Sequence, residues 1–256
     1  PIDYTATIGG WDETSFVQLK KRAAEQLRSD AQANIDPAVT CDAIVQVATP
    51  VDGILTTARQ SGSGMIVMGT HGRTGFRRLI IGSVTEAVMR KAEVPVIAVP
   101  LSCQSNPVIR TILCPAIYDD QYHDALTFAS AIAPADAKFI VIRAATSDDE
   151  LLTTGDFIGL RAWVPESIAL RSELKILGGG NVAGQIEGYA EKVGADLIVA
   201  AEPAGRSTSD MLHGTFAARV VQHSHCPVLT MKRPAAKRAA GVVEPEHRTD
   251  RVLVTQ

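Results

Sequence analysis

Residues 65–99 read MIVMGTHGRTGFRRLIIGSVTEAVMRKAEVPVIAV, and the fold of the chain turns on them. An apolar run, Met65, Ile66, Val67 and Met68, predicts a buried strand that stops at Gly69. A loop with Gly72, Gly75 and three arginines, Arg73, Arg77 and Arg78, leads to Gly82 and Ser83. From there apolar residues recur at Val84, Ala87, Val88 and Ala92, the spacing of a helix. Val94 and Pro95 open a second buried run that ends at Val99. The order is strand, glycine loop, helix, strand. Glycine is needed where backbone turns sharply or approaches a ligand closely, and the N–H groups at a helix start, at its positive dipole end, attract phosphate. Ser83 adds a hydroxyl at the same point, so the stretch points to anion binding by backbone with help from arginine. Glycines that served only the turns of an ordinary α/β unit would leave the arginines and the GSVT sequence unexplained.

Working outward, the chain repeats itself. At an offset of 132, that between Gly82 and Gly214, Ile54 falls on Ile186, Ala58 on Ala190, Gly62 on Gly194, and Ile66-Val67 on Ile198-Val199. Val88 falls on Val220 and Pro95-Val96 on Pro227-Val228, with no gap across the stretch. Upstream of the first copy, residues 16–33 read as a helix capped by Asp12 or Thr14. Residues 38–49 then read as a strand with Val39, Cys41, Ala43, Val45 and Val47 on one face, ended by Pro50, and residues 51–60 as a helix. After a polar linker at 101–107, residues 110–115 and 137–145 read as strands and 122–133 as a helix. Pro165 and two glycines break or shorten the helix expected within 149–172. Residues 233–256 carry no core-forming pattern and read as an exposed tail, with Val252, Leu253 and Val254 open to pairing as an edge strand.

Composition narrows the function classes. The 256 residues are 46% hydrophobic and 21% charged, enough for a substantial core and two domains. A net charge of −3 argues against general nucleic-acid or membrane-surface binding, and aromatics at 5% argue against base stacking. No apolar run approaches the ~20 residues of a membrane span, and the first residues have neither the basic start nor the apolar core of a leader. Cys41, Cys103, Cys114 and Cys226 lack metal-type spacing, which suits reduced thiols in a cytoplasm.

The glycine spacing carries a resemblance. Gly69, two residues, Gly72, nine residues, then Gly82-Ser83 is the G-2x-G-9x-G-[S/T] signature with which the universal stress protein family holds the phosphates of ATP, and GTHGRTG, GSVTEAV and VPVIAVP follow in the family's order. The resemblance implies an α/β fold of two tandem doubly wound modules with mostly parallel sheets, the first truncated at its N-terminus. Their spans would be residues 1–100 and 108–232, followed by the tail at 233–256. It implies a regulatory, stress-responsive ATP-binding protein in the cytoplasm, not an enzyme, with room left for slow hydrolysis. The nucleotide site would comprise Gly69, His71, Gly72, Arg73, Gly75, Gly82, Ser83, Val84 and Thr85. His71 can donate to a phosphate or simply cover the turn. A family domain begins strand, helix, strand, and its first strand ends in Pro-x-Asp, whose Asp contacts adenine. Those elements are missing ahead of residues 16–33 unless Pro1-Ile2-Asp3 is that strand end, which would make Asp3 the adenine ligand and require an internal deletion. The family pairs modules through their last strands, so residues 94–99 and 227–231 are expected to pair within the chain as a pseudo-dimer, with a homodimer also open to it. An interaction scaffold that binds no nucleotide is the alternative function.

The other motifs read blandly. The second loop, AEPAGRSTSDMLHGTF, has Ala201 and Ala204 where the first has Gly69 and Gly72, and it carries Glu202 and Asp210, which repel phosphate. Ile117 stands where the family carries its Asp, so a structural role is expected for the second copy. Residues 178–183, GGGNVA, match a dinucleotide fingerprint but follow the third strand of their module, not the first. His223-Ser224-His225-Cys226 resembles a metal cluster, yet it sits at a helix end, where histidine suits the dipole.

Overall fold

The computed structural model describes residues 13–70, 81–103, 108–116, 120–144, 154–178, 181–201, 216–231 and 251–254. In chain order the first elements are α1 (Glu13–Asn34), β1 (Thr40–Ala43), α2 (Pro50–Gln60), β2 (Ile66–Gly69), α3 (Ser83–Lys91) and β3 (Val96–Val99). Then come β4 (Thr111–Pro115), α4 (Asp120–Ile132), β5 (Lys138–Ala144), α5 (Thr154–Ala162), a 3-10 turn (Glu166–Arg171) and β6 (Ser172–Leu177). The last are α6 (Val182–Val193), β7 (Leu197–Ala201), α7 (Phe216–His223), β8 (Val228–Met231) and β9 (Arg251–Val254). The chain divides into two compact units, residues 1–63 with 237–256, and residues 64–236.

In the first unit, Thr14 lies inside α1 instead of capping it, and Asp12 lies outside the described residues. The strand expected over 38–49 forms only over Thr40–Ala43. Asp36 shortens its start: its carboxylate accepts the Ala38 N–H and its carbonyl the Val39 N–H, which bends the chain. Its partner limits the rest, because β9 pairs in parallel with four residues, from Thr40 opposite Arg251 to Ala43 opposite Val254. Residues 251–254 are therefore a strand, the pairing left open for Val252, Leu253 and Val254 within a stretch otherwise read as a tail; residues 232–250 lie outside the described set. Thr49 starts α2, its hydroxyl accepting the Asp52 N–H and donating to the Asp52 carboxylate at 2.7 Å, with Pro50 in the first helical position.

The second unit is built on a seven-stranded sheet, β2-β3-β8-β7-β4-β5-β6. Neighbouring strands are parallel except β3 and β8, which run antiparallel with Val96 opposite Thr230, Ile97 opposite Leu229 and Ala98 opposite Val228. The two strands expected to pair within the chain therefore do so. Both faces of the central strands are covered, as near-continuous apolar strands require. Ile97, Ile112, Cys114, Phe139, Val141 and Leu229 pack on one face, with Tyr122 and Leu126 of α4. The alternate residues Ala98, Leu113, Ile140, Ile142 and Val228 pack on the other, with Ile186 of α6 and Val220 of α7. Pro165 separates α5 from the 3-10 turn, the break expected there.

The repeat persists at the level of single hydrogen bonds. Ser63 N–H donates to Ala58 O and Ala195 N–H to Ala190 O; Ile66 N–H donates to Pro95 O and Ile198 N–H to Pro227 O. Gly62 and Gly194, equivalent residues just past α2 and α6, both adopt left-handed backbone, φ 62° and 61°. Burial follows the repeat less closely. Val88 and Val220 are both buried, as expected, but Ile54 is only half-buried where Ile186 is fully covered. Ile186 packs against residues of β4 and β5, strands with no counterpart among the described residues of the first half. The same difference exposes β2. Val199 of β7 is 0% exposed, in the core face that includes Tyr122 and Leu126 of α4, whereas Val67 of β2, the edge strand, is 58% exposed. The expectation of a buried strand at Met65–Met68 thus holds for Ile66 and fails at Val67.

Leu229→Ala, at a buried position of the β3–β8 junction, should lower unfolding free energy by about 2–5 kcal/mol in a urea titration. Val67→Ala should change it by less than about 0.5 kcal/mol. Equal effects would show that the sheet edge lies elsewhere.

Candidate functional site

Of the site residues expected from the sequence, Gly69, Gly82, Ser83, Val84 and Thr85 lie within the described structure, and His71, Gly72, Arg73 and Gly75 fall outside it. Gly69 is the last residue of β2. Thr70 follows it and is buried, its N–H donating to the Val99 carbonyl at 2.9 Å. Gly82 is the cap residue of α3, with φ −62° and ψ 141°, so ordinary extended backbone. Glycine suits the position by proximity: a Cβ at Gly82 would lie 3.0 Å from the Thr70 carbonyl oxygen, so the Thr70 backbone would have to give by a few tenths of an ångström.

Two hydrogen bonds pin the ends of segment 71–80 together. Gly82 N–H donates to Thr70 O at 2.8 Å, and the Thr85 hydroxyl donates to Gly69 O at 2.9 Å. These bonds give two of the expected site residues a structural part. The Gly82 N–H is taken by Thr70 and not offered to a ligand, and the buried Thr85 side chain ties α3 to the end of β2. Ser83 and Val84 remain in the first turn of α3, Ser83 exposed and Val84 half-buried, where helix geometry provides no i−4 carbonyl for the N–H groups. The arrangement can hold an anion by backbone N–H groups at the positive end of the helix. Thr70 was missed in the sequence; the clue was a small polar residue at the end of an apolar strand.

Titration behaviour marks no nucleophile here. Glu173 on β6 is held down at about 2 by hydrogen bonds from Lys138 and Lys175, an ion cluster on neighbouring strands. Burial keeps the Cys114 thiol protonated and raises the Tyr122 phenol, whose O–H donates to the Cys114 carbonyl at 2.8 Å. The remaining motifs are occupied by their own structure. Asn181, within the GGGNVA stretch, caps α6 by accepting the Gly184 N–H. In the histidine cluster, Ser224 donates to the Cys226 carbonyl at 2.7 Å and accepts the Cys226 N–H. In the second copy Ala201 ends β7 fully buried where Gly69 is exposed; residues 202–215, including Gly214, and residue Ile117 lie outside the described set.

The sequence pattern of the Universal stress protein family matches residues 3–100 and again residues 109–232. The chain belongs to the universal stress protein family. One universal stress protein of Methanocaldococcus jannaschii is 39% identical over 56 residues, 22% of this chain and 35% of that protein. A second from the same archaeon is 32% identical over 91 residues, 36% of this chain and 53% of that protein. The matches therefore span about a third and about half of those relatives' lengths. The crystal structure of a universal stress protein from Archaeoglobus fulgidus has the same fold, with a TM-score of 0.66 over 90% of this chain and 83% of that one at 20% identity. Among the described residues no helix is long and apolar enough to cross a membrane.

Gly82→Ala should cost about 1–3 kcal/mol of stability, because the new methyl must push Thr70 or α3 aside. Thr85→Val should cost about 0.5–1.5 kcal/mol through the lost bond to Gly69. Thermal unfolding monitored by circular dichroism measures both, and unchanged midpoints would mean that the loop ends are not held as described.

Proposed function

We propose that this universal stress protein binds ATP through its phosphates at the start of α3 and acts in stress response through its nucleotide state, as a regulator and not a catalyst. The observation that carries the reading is the close approach of Gly82 to Thr70, which sets the first turn of α3 at the end of β2. The glycine signature supplies the rest: Gly72 and Gly75 for the loop, with Arg73 for charge, and His71 as donor or cover. Gly69 and Thr85 then position the site, and Ser83 and Val84 contact phosphate. The second half, without Gly69 and Gly72 equivalents, serves as the structural partner of the first in an internal pseudo-dimer. The domain division proposed is residues 1–100, 108–232 and a C-terminal segment at 233–256, with the whole protein acting in the cytoplasm.

Isothermal titration with ATP, GTP and pyrophosphate tests this. A hydrogen bond from a backbone N–H to a charged phosphate contributes ~1.5–3 kcal/mol, so Gly82→Asp, which brings a carboxylate to the site, should weaken ATP binding at least ~10-fold. ATP preferred over GTP would mark an adenine pocket, while equal binding of all three would mark a phosphate site alone. If the parent chain binds none of them, or Gly82→Asp binds as well as the parent while folded by circular dichroism, the interaction-scaffold reading replaces this one.

A further inference from the structure

Two of the four cysteines, Cys103 and Cys226, flank the strands at which the halves of the chain join, one just after β3 and one just before β8. β3 and β8 pair with Ala98 opposite Val228. The ladder ends there; carried on by two residues, the same register would set Pro100 opposite Cys226. The chain then turns: the Cys103 N–H donates to the Pro100 carbonyl at 3.1 Å. A turn closed in this way keeps its ends within about 7 Å between Cα atoms. Cys226 is 4% exposed, on the sheet face it shares with Ala98 and Val228, and Cys103 is half-exposed. Burial, chiefly, pushes Cys226 up to about 11 against the hydrogen bond from Ser224, and Cys103 adds to the rise. Cys114 is enclosed in the core, and Cys41 lies in the first unit.

We propose that Cys103 and Cys226 are a redox modification site that closes to a disulfide between the segment after β3 and the start of β8. The oxidant class is a hydroperoxide, and access sets the order, since the half-exposed Cys103 reacts before the buried Cys226. The Cys103 sulfur attacks the terminal peroxide oxygen, the O–O bond breaks, and sulfenic acid forms as the alcohol, or water, leaves with the proton. The Cys226 sulfur then attacks the Cys103 sulfur. The S–S bond forms, the S–O bond breaks, and hydroxide leaves with the Cys226 proton as water. In sum two thiols lose two electrons and two protons, and the peroxide is reduced by the same two electrons. The product ties together the two strands that join the halves of the sheet, so oxidation would fix their pairing covalently.

The test is to treat the full reduced chain with hydrogen peroxide, block remaining thiols, digest without reductant and map the peptides by mass spectrometry. The expected product is a crosslinked pair containing Cys103 and Cys226, about 2 Da lighter than the two thiol peptides together and split by reductant. Cys226→Ala should instead leave Cys103 as a sulfenic acid trapped by dimedone, and Cys41→Ser should leave the crosslink unchanged. A parent chain that yields only higher oxides of Cys103, intermolecular bonds, or a Cys41–Cys103 pair overturns the proposal, and this map of the parent needs no variant to fold.

Discussion

The antiparallel ladder between β3 and β8 is the contact on which the rest of the larger unit depends. Each strand is short and apolar, and left unpaired it would offer an open edge to other chains. Joined, they bury Val96, Ala98, Val228 and Leu229 and turn strands from both halves into one sheet with a core on each face. The reversal also sets direction. β2 is parallel to β3 and β7 is parallel to β8, so the C-terminal ends of β2 and β7 point to opposite ends of the sheet. The Gly69 position and its counterpart Ala201 are thereby kept apart, and the two halves could diverge at these ends without disturbing the shared ladder.

At the β2 end the constraint is steric. Gly82 approaches the Thr70 carbonyl so closely that a side chain would crowd it, and Thr85 reaches back to Gly69 from one turn further along α3. Backbone N–H groups exchange water for a ligand anion favourably only when they are already fixed in place, because ordering them on binding would offset the gain. The two hydrogen bonds that close the ends of segment 71–80 provide that order on one side of the site.

Much of this was legible in the sequence because repetition is a strong signal. An ungapped offset of 132 carries over strand register, the left-handed glycines 62 and 194, and helix-ending hydrogen bonds, each dictated by residues close in sequence. What escaped depends on partners distant in the chain. Val67 and Val199 are the same residue in the same local pattern, yet one is exposed and one buried, because β7 lies inside the sheet on the face packed by α4 and β2 lies at the edge. Four-residue β1 is limited by the length of β9, some 200 residues away, and no periodicity near residue 40 reports that. The glycine spacing pointed to the turn between β2 and α3 but not to the bonds made there, since those of Gly82 and Thr85 go to carbonyls on β2 and just after it.

The central claim, that the first turn of α3 is an anion site held ready by the end of β2, is tested most directly by following backbone amides in an isotope-labelled chain during titration with ATP. The account predicts the largest saturable shifts in the described structure at Ser83 and Val84, little change at Phe216 and Ala217 at the start of α7, and a persistent hydrogen bond at Gly82. Shifts that concentrate on α7, or none at Ser83 and Val84 while ATP binds, would contradict it.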